Sequence, residues 1–399
     1  MKTHPFFNSD APLKPTNPIF SRLGTTIFET MSRLAAETDA VNLGQGFPEG
    51  LEPTPLLDQL AKAALEGPHQ YPSMMGTPNL RHAIARHEKK FWAIDLAPLQ
   101  SVMVTSGATE ALACSLLSMI VPGDEVIVLE PCYDSYIPII QLAGGIVRSV
   151  RLLPPSWDLP RADIEAAFSP RTKLIILNSP TNPIGKVYGS EDLAFLAALI
   201  IRHDAIALCD EVYEHLVYDG RPHIPLMTVP GMAERCIKIG SAGKIFSLTG
   251  WKVGWVIAPP ALLAVIAKAH QYLTFTTAPE LQEAAAWGLD NTHDGYVGLP
   301  AVLAKRRDRL ASGLSEAGFT VLHAQGSYFL TAEYHPFTPL KDDEAFCRKL
   351  VAEAGVAAIP LNTFYQDASP TGCIRFCFAK TDDVLDEAIR RLLRWSKSQ

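Results

Sequence analysis

The chain has 399 residues, of which 48% are hydrophobic and 19% charged, enough for one large hydrophobic core and a smaller second domain. Its formal net charge is −7 and no basic run stands out, which argues against nucleic acid as a partner. The longest uninterrupted apolar run, Leu193 to Ile201, is too short to span a bilayer, so no membrane partner is expected.

The seven cysteines form no CxxC pair and show no metal-ligand spacing, and several lie within apolar runs. This pattern is typical of buried thiols in a reducing compartment, and no metal ion is expected. Residues Met1 to Pro18 are polar and rich in proline, without the apolar region of a signal peptide. These features predict a cytoplasmic protein.

The elements divide the chain into three parts. Residues 1–50 are predicted to form an extended arm and then a helix, Ile27 to Ala36, and to join the smaller domain. In residues 51–298 strand and helix signals alternate, which predicts an α/β fold with a mostly parallel sheet flanked by helices. The strand signals are Val102–Thr105, Glu125–Leu129, Leu174–Leu177, Ala205–Cys209, Cys236–Ile239 and Val253–Ala258. The clearest helix signals are Thr109–Ile120, Glu191–His203 and Ala261–Tyr272.

Residues 299–399 are predicted to form a smaller α+β domain. Its predicted elements are a helix Pro300–Ala317, hairpin segments Phe319–Leu322 and Ser327–Glu333, a helix Asp343–Ala354, a strand Cys373–Phe378 and a helix Asp382–Ser396.

The stretch from Ser241 to Lys252 places Lys244 in a turn of small residues, directly after an apolar strand. Burial of a lysine is costly, and one reason for it is to keep the amine neutral and nucleophilic. Such an amine forms Schiff bases with carbonyls, and pyridoxal 5'-phosphate supplies a carbonyl and acts as an electron sink. Gly243-Lys244 alone would also fit an ordinary surface loop. The residues that follow the other strands therefore decide between a surface lysine and a Schiff-base lysine.

Ligands of open α/β sheets bind beyond the carboxyl ends of the strands. The first strand is followed by Ser106, Gly107 and Ala108 at the start of a helix, where small residues and free backbone N–H groups can hold a phosphate. Ser241 and Lys252 are placed to hold the same phosphate from the other side. A plain helix cap explains the first three residues equally well when they are taken alone.

The next strands end in side chains that suit a pyridoxal ring. Tyr133 can stack on a planar ring, Asn182 and Tyr213 can bind its phenolate oxygen, and Asp210 can keep the pyridine nitrogen protonated. Packing, an Asx-turn or a helix cap would explain each residue singly. Arg375 lies between apolar residues in a later strand, and its guanidinium suits an amino-acid carboxylate. The order of these groups at successive strand ends predicts a pyridoxal enzyme.

The chain resembles the class I aminotransferases of pyridoxal fold type I, over nearly its whole length. The closest resemblance is to methionine aminotransferases, kynurenine aminotransferases and glutamine transaminase K. The motifs that carry it are Asn42 to Pro48, Gln70-Tyr71-Pro72, Asn182-Pro183, Asp210 to Tyr213, Ser241 to Trp255, His270 to Phe275 and Ile374 to Lys380.

The resemblance implies a homodimer with shared active sites and further residue roles. Gly46 would lie beside the substrate carboxylate together with Asn182 and Arg375. Tyr71 would reach the cofactor phosphate of the neighbouring subunit. Phe28 and Phe275 would wall the side-chain pocket, Phe275 from the other subunit.

The implied reaction moves the amino group of an L-amino acid with a methionine-like, aromatic or glutamine-like side chain to a 2-oxo acid, and Lys244 serves as general base. Kynurenine-type members have an aromatic residue where this chain has Ala108, which argues against a kynurenine preference. The alternatives are a kynurenine aminotransferase or a cysteine-conjugate β-lyase of the same family and, outside the enzyme class, a catalytically silent ligand sensor.

Overall fold

The computed structural model describes residues 14–338, 342–369 and 371–399. Most of the predicted N-terminal arm therefore lies outside the described residues. The α-helices are α1 Ile27–Glu37, α2 Thr54–Glu66, α3 Pro78–Trp92, α4 Pro98–Ser101, α5 Gly107–Met119, α6 Tyr136–Leu142, α7 Arg161–Ala167, α8 Ser190–Arg202, α9 Ala242–Ile245, α10 Pro260–Leu273, α11 Pro279–Asn291, α12 His293–Glu316, α13 Asp343–Lys349 and α14 Asp382–Ser396. The chain continues from α13 as a π-helical turn, Leu350–Ala354.

The strands of the described residues form three sheets. The strands are β1 Val41–Asn42, β2 Val102–Thr105, β3 Glu125–Glu130, β4 Ile146–Arg151, β5 Thr172–Asn178, β6 Ile206–Asp210, β7 Cys236–Ser241, β8 Gly254–Ile257, β9 Thr320–Leu322, β10 Phe329–Glu333, β11 Val356–Ala357, β12 Ile359–Pro360 and β13 Cys373–Cys377. Short 3₁₀-helices lie at Phe20–Arg22, Leu226–Thr228, Ala233–Arg235, Thr249–Trp251 and Leu361–Phe364.

The central sheet has seven strands in the order β2-β8-β7-β6-β5-β3-β4. Strands β7, β6, β5, β3 and β4 pair in parallel, and only β8 runs antiparallel to its two neighbours, β7 and β2. Every residue of β2, β3 and β7 is buried, because helices cover both faces of the sheet. The predicted mostly parallel sheet flanked by helices is confirmed.

Strand β4 has no counterpart among the predicted strands. It lies at the edge of the sheet and pairs only with β3. Four of its six residues are polar or charged or exposed, and Val150 alone is buried, so the strand lacks the apolar run that marked its neighbours. An edge strand with one solvent-facing side needs no such run.

The C-terminal part contains a four-stranded antiparallel sheet in the order β12-β13-β10-β9. The predicted hairpin is confirmed by the pairing of β9 with β10, and α14 has the predicted bounds. The predicted start of α12 was wrong, because Pro300 lies inside this helix and does not open it. Proline is most common at the first helical position, which made it a misleading start signal here.

The N-terminal and C-terminal parts of the chain meet where β1 pairs in parallel with β11. This pairing agrees with the assignment of residues 1–50 to the smaller domain, and the division at residues 50 and 298 stays a prediction. All seven cysteines are buried and unpaired by disulfides, as expected. None of the described helices combines the length and apolar character needed to cross a membrane.

The register of the parallel strands brings their carboxyl ends to one edge of the sheet. Asn178 at the end of β5 lies opposite Asp210 at the end of β6, and Asp210 lies opposite Ile239 of β7. The loops that follow these strands therefore open onto the same side, as in other open α/β sheets.

Candidate active site

A cavity of about 460 Å³ lies at this edge of the sheet, between the strand ends and β10 and β13 of the smaller sheet. It is lined by twelve of the residues predicted from the sequence. These are Phe28, Gly46, Gly107, Ala108, Tyr133, Asn182, Asp210, Tyr213, Ser241, Lys244, Lys252 and Arg375. The structure thus brings together groups that are distributed over almost the whole chain.

Lys244 lies in α9, a single helical turn that begins directly after β7. Its Nζ donates a hydrogen bond to the hydroxyl of Tyr328 at 2.7 Å and lies 5.5 Å from the centre of the Tyr213 ring. Burial lowers the pKa of the Lys244 amine to about 8, and the nearby Asp210 carboxylate only partly opposes this effect. The amine is therefore far closer to its neutral, nucleophilic form than an exposed lysine would be.

Asp210 ends the buried strand β6 and carries one unsatisfied oxygen. Its Oδ2 accepts a hydrogen bond from the Tyr136 hydroxyl at 2.5 Å, whereas its buried Oδ1 has no partner among the described residues. Burial raises the pKa of Asp210 to about 6, although the bond from Tyr136 acts in the opposite direction. A buried carboxylate oxygen without a partner is costly, and a cationic N–H in the cavity would satisfy it.

The start of helix α5 forms a cradle of small residues. Gly107 has a positive φ of 78°, and a Cβ there would lie 3.3 Å from Cε of Lys252. Gly254 of β8 packs so closely that a Cβ on it would lie 2.8 Å from the backbone nitrogen of Ala108. The N-terminus of α5, the buried Ser241 and the Lys252 ammonium together suit an anion.

Arg375 lies in β13, is only 2% exposed, and is held by two hydrogen bonds. Its Nη1 donates to Oδ1 of Asn182 at 2.9 Å and its Nη2 donates to the carbonyl of Gly44 at 2.8 Å. Its guanidinium lies 3.9 Å from the centre of the Phe329 ring. Burial lowers the pKa of Arg375 to about 10, so the group stays cationic at neutral pH and can bind a carboxylate.

Gly46 lies against the same phenyl ring. A Cβ on Gly46 would lie 2.6 Å from Cζ of Phe329, so no other residue fits here without movement. The carbonyl of Gly46 also accepts a hydrogen bond from the Tyr328 hydroxyl at 3.0 Å. The segment after β1 is thereby hydrogen-bonded to Tyr328, whose hydroxyl also accepts from Lys244.

Tyr133 and Tyr213 form two aromatic walls. The Tyr133 hydroxyl lies 3.4 Å from that of Thr109, and its ring packs edge-on against Tyr136. The Tyr213 ring packs edge-on against Tyr328 at 5.2 Å between ring centres. Burial raises the pKa of both Tyr133 and Tyr213, so both hydroxyls stay protonated and able to donate.

Three predicted site residues do not line the cavity. The hydroxyl of Ser106 lies 3.0 Å from that of Thr277, and its backbone N–H donates to the Glu110 carboxylate. Tyr71 and Phe275 pack edge-on with ring centres 5.6 Å apart, and Tyr71 is 83% exposed. Such exposure agrees with the expectation that these two residues serve a neighbouring subunit, which stays a prediction.

Tyr136 and Tyr328 are site residues that the sequence analysis missed. Tyr136 opens helix α6 and is followed by apolar residues, so it is indistinguishable from a core residue in the sequence. Tyr328 comes just before a strand, whereas ligand contacts in open α/β sheets are expected after the strands. Only the tertiary fold brings their hydroxyls to Asp210 and Lys244.

The fold recurs in solved structures of known enzymes. The methionine aminotransferase of Escherichia coli superposes with a TM-score of 0.93 at 40% identity, over 96% of this chain and 100% of that chain. The N-succinyldiaminopimelate aminotransferase of Mycobacterium tuberculosis also gives 0.93, at 42% identity over 96% and 100% of the two chains. The fold and site together define a pyridoxal-phosphate enzyme of fold type I.

Sequence comparison gives the family. A model of class I and II aminotransferases matches residues 38–392. Kynurenine–oxoglutarate transaminase 1 of the mouse is 37% identical over 91% of this chain and 94% of its own length. The chain belongs to the class I and II aminotransferases and is a pyridoxal-phosphate-dependent transaminase. The predicted family and enzyme class are confirmed.

Proposed function

We propose that the chain transfers the amino group of an L-amino acid with an uncharged, methionine-like or aromatic side chain to a 2-oxo acid. The observation that carries this proposal is the single cavity faced by the Lys244 amine, the free Oδ1 of Asp210 and the buried guanidinium of Arg375. These groups suit an aldehyde, a pyridinium and a carboxylate respectively.

The cavity suits pyridoxal 5'-phosphate at its sheet end. Oδ1 of Asp210 would pair with the protonated ring nitrogen, and Tyr133 would pack against the ring. Asn182 and Tyr213 would donate to the ring phenolate. The phosphate would be held by the cradle of Gly107, Ala108, Ser241 and Lys252. Ser106 would lie behind this cradle, and a partner subunit would add Tyr71. When bound, the cofactor withdraws electrons from the α-carbon of the substrate and so makes its proton acidic.

Lys244 would have two tasks. Its amine, with a pKa lowered to about 8, would hold the cofactor through the aldehyde carbon and, once the substrate amine has replaced it there, accept the α-proton at Nζ. Tyr328 would keep the amine in place through the bond to its hydroxyl. One nitrogen would therefore both tether the cofactor and carry the proton.

Arg375 would bind the α-carboxylate of the substrate. The carbonyl of Gly44 and Oδ1 of Asn182 orient the guanidinium, and the amide Nδ2 of Asn182 remains to donate to the same carboxylate. Gly46 would lie beside this carboxylate, and a Cβ on it would lie 2.6 Å from Cζ of Phe329, the ring against which the guanidinium packs.

The walls of the cavity support an uncharged substrate side chain. Among the described residues that line it, the cationic groups are Lys244, Lys252 and Arg375, and each already has a task. No cation is left for a second carboxylate, whereas Phe28 offers an apolar surface, which Phe275 of a partner subunit would extend. This argues for methionine or aromatic donors over the N-succinyldiaminopimelate named for one relative.

We further propose a homodimer with shared active sites and a cytoplasmic location. The exposed edge-on pair of Tyr71 and Phe275 supports the first proposal, because large exposed aromatic side chains are typical of interfaces. The seven unpaired, buried cysteines support a reducing compartment.

The test combines covalent trapping with a substrate panel. Borohydride reduction followed by mass measurement should add one cofactor to the wild-type chain and to the surface variant Lys62→Ala, but none to Lys244→Ala. Loss of covalent attachment should accompany loss of turnover. A Lys244→Ala protein that is still trapped would disprove the role of this lysine.

The substrate proposal is tested separately by kcat/KM for methionine, phenylalanine, kynurenine, aspartate and N-succinyldiaminopimelate against several 2-oxo acids. We expect methionine and phenylalanine to exceed aspartate and N-succinyldiaminopimelate, which both carry carboxylates beyond the α-carboxylate, by at least about tenfold, roughly the effect of one unpaired charge-assisted hydrogen bond. A preference for aspartate or N-succinyldiaminopimelate would refute the substrate class and leave the transaminase assignment intact.

A further inference from the structure

A second group of ionisable side chains lies behind the segment that carries Asp210 and Tyr213. It contains three histidines, three glutamates and one lysine from four parts of the chain. This histidine–carboxylate cluster consists of His87, Glu88, Glu211, Glu214, His215, His223 and Lys238. Its glutamates and its lysine are at most 2% exposed, so the groups cannot rely on water for solvation.

The charges of the cluster do not balance through salt bridges. Nζ of Lys238 donates to both carboxylate oxygens of Glu88, at 2.7 and 2.6 Å, and to Oε2 of Glu214 at 2.7 Å. It also lies 3.8 Å from the Glu211 carboxylate. Three carboxylates thus face one ammonium, and two further positive charges are needed to offset them in a buried site. One divalent cation can supply them.

Two imidazoles face each other beside these carboxylates. Nε2 of His87 lies 2.7 Å from Nε2 of His215, and a carboxylate oxygen of Glu214 lies within 4.8 Å of a nitrogen of each ring. Oε1 of Glu214 is buried and has no hydrogen-bond partner within the described part of the chain. The aromatic rings of Phe91 and Tyr296 pack around the two imidazoles.

We propose that His87, Glu214 and His215 bind a divalent transition-metal ion, with zinc as the best match. Two imidazoles and one carboxylate are an established protein ligand set for Zn²⁺, with a fourth position left for a further oxygen ligand. Tetrahedral bonds to both rings place their nitrogens roughly 3.3 Å apart, so the imidazoles need to separate by only about 0.6 Å. The free Oε1 of Glu214 gains a partner in this arrangement.

A second ligand set, Glu211 with His223, shares Glu214. Within this set Glu211 already accepts from the backbone N–H of Leu226, and it lies 3.1 Å from Nε2 of His223. This set also has one imidazole rather than two, which suits zinc less well. We therefore assign the ion to the first set.

The ion would act as a structural link. His87 lies on helix α3, whereas Glu214 and His215 follow Asp210 and Tyr213 in the turn after β6. The two histidines are 128 positions apart, so no local spacing in the sequence could reveal this site. Binding of the ion would fix the turn against α3 without contact with the active-site cavity.

The experiment uses the full-length holoenzyme, stripped by a chelator and then titrated with Zn²⁺. Elemental analysis after dialysis should give one ion per chain, and Zn²⁺ should raise the melting temperature in a concentration-dependent way. Co²⁺ in place of Zn²⁺ should give the visible absorption of a four-coordinate site. Absence of stoichiometric binding would overturn the proposal.

Three variants locate the ion. His215→Gln and His87→Gln should each weaken binding by at least the roughly 10–100-fold typical for loss of an outer-sphere partner. His223→Gln should retain it, as should the control His323→Gln, which removes an exposed histidine paired with Asp219. Loss of the ion in His223→Gln but not in His215→Gln would refute the assigned ligands. Circular dichroism and cofactor absorbance show whether each variant is folded. If a variant does not fold, the titration of the wild-type protein still decides whether the chain binds the ion.

Discussion

Asp210→Asn should have opposite effects on the cofactor-free and the cofactor-bound protein. Asp210 is 5% exposed, accepts one side-chain hydrogen bond from Tyr136, and has an Oδ1 without a partner in the part of the chain that the structure describes. Its buried charge is therefore unfavourable in the empty cavity and favourable only when a cation occupies the space beside it. The amide of asparagine has nearly the same shape and no charge.

The effect of Asp210→Asn on the stability of the cofactor-free protein follows from the pKa of Asp210. Burial raises this pKa from 3.8 to about 6, and one pKa unit corresponds to about 1.4 kcal/mol. The ionised group thus costs the folded, cofactor-free protein about 3 kcal/mol at pH 7. Because the folded-state pKa is above the unfolded one, this cost appears as the pH rises from about 4 to 6 and is absent below that range. Cofactor-free Asp210→Asn should accordingly be up to about 3 kcal/mol more stable than wild type at pH 7, and equally stable near pH 3.5.

The effect of Asp210→Asn on cofactor binding has the opposite sign. Loss of one partner from a buried ion pair costs about 3–5 kcal/mol, so the Kd of the cofactor should rise roughly 150- to 4,000-fold. Cofactor titration in the Lys244→Ala background removes the masking contribution of covalent attachment, and urea unfolding of the cofactor-free proteins gives the stability.

Asp134→Asn is the matched control. Asp134 also lines the cavity and burial also raises its pKa, but it does not lie at the end of β6, and its cofactor affinity should stay unchanged. If cofactor-free Asp210→Asn were less stable than wild type at pH 7, the reasoning about the unpaired oxygen would be wrong. An unchanged cofactor Kd would refute the pairing with a pyridinium.

Two further substitutions test the supports of the site. Tyr136→Phe removes the hydroxyl that lies 2.5 Å from Asp210, so the pKa of Asp210 should rise further. The cofactor Kd should increase roughly 10- to 150-fold, the equivalent of a charged hydrogen bond. Spectrophotometric titration measures the Kd, and an increase below twofold would contradict this role of Tyr136. Gly46→Ala places a Cβ 2.6 Å from Phe329 and should lower the free energy of unfolding in urea by about 1–3 kcal/mol. The control Gly189→Ala, where a Cβ meets nothing within 4 Å, should lower it by less than about 1 kcal/mol. Equal losses of stability in the two variants would show that the close contact with Phe329 is not the cause.

The cofactor end of the site could be predicted from the sequence because it follows from strand order. Asp210 is the last residue of β6 and Lys244 lies in the helical turn after the next strand, β7, and parallel pairing places the ends of these strands side by side. The apolar runs of β2, β3 and β7 marked these strands because both faces of the sheet are covered.

The substrate end could not be derived in the same way. Gly46 and Arg375 belong to segments more than 300 residues apart, and only the resemblance to known aminotransferases connected them. The partners of Arg375, Gly44 and Asn182, depend on how the smaller sheet lies against the larger one. Such packing is a tertiary property without a local sequence signal.

The contacts of Tyr328 explain why the two ends act together. Its hydroxyl accepts from Nζ of Lys244 at the sheet end and donates to the carbonyl of Gly46 at the substrate end. A proton can be moved between the α-carbon and Lys244 only if the substrate carboxylate and the lysine are fixed relative to each other. Arg375 fixes the carboxylate through the smaller sheet, and Tyr328, which directly precedes β10 of that same sheet, fixes the amine. The smaller sheet therefore carries the carboxylate site and, through Tyr328, the hydroxyl that orients the Lys244 amine, whereas the Lys244 backbone belongs to α9 after β7. A displacement of the smaller sheet should therefore disturb carboxylate binding and the orientation of the base at the same time.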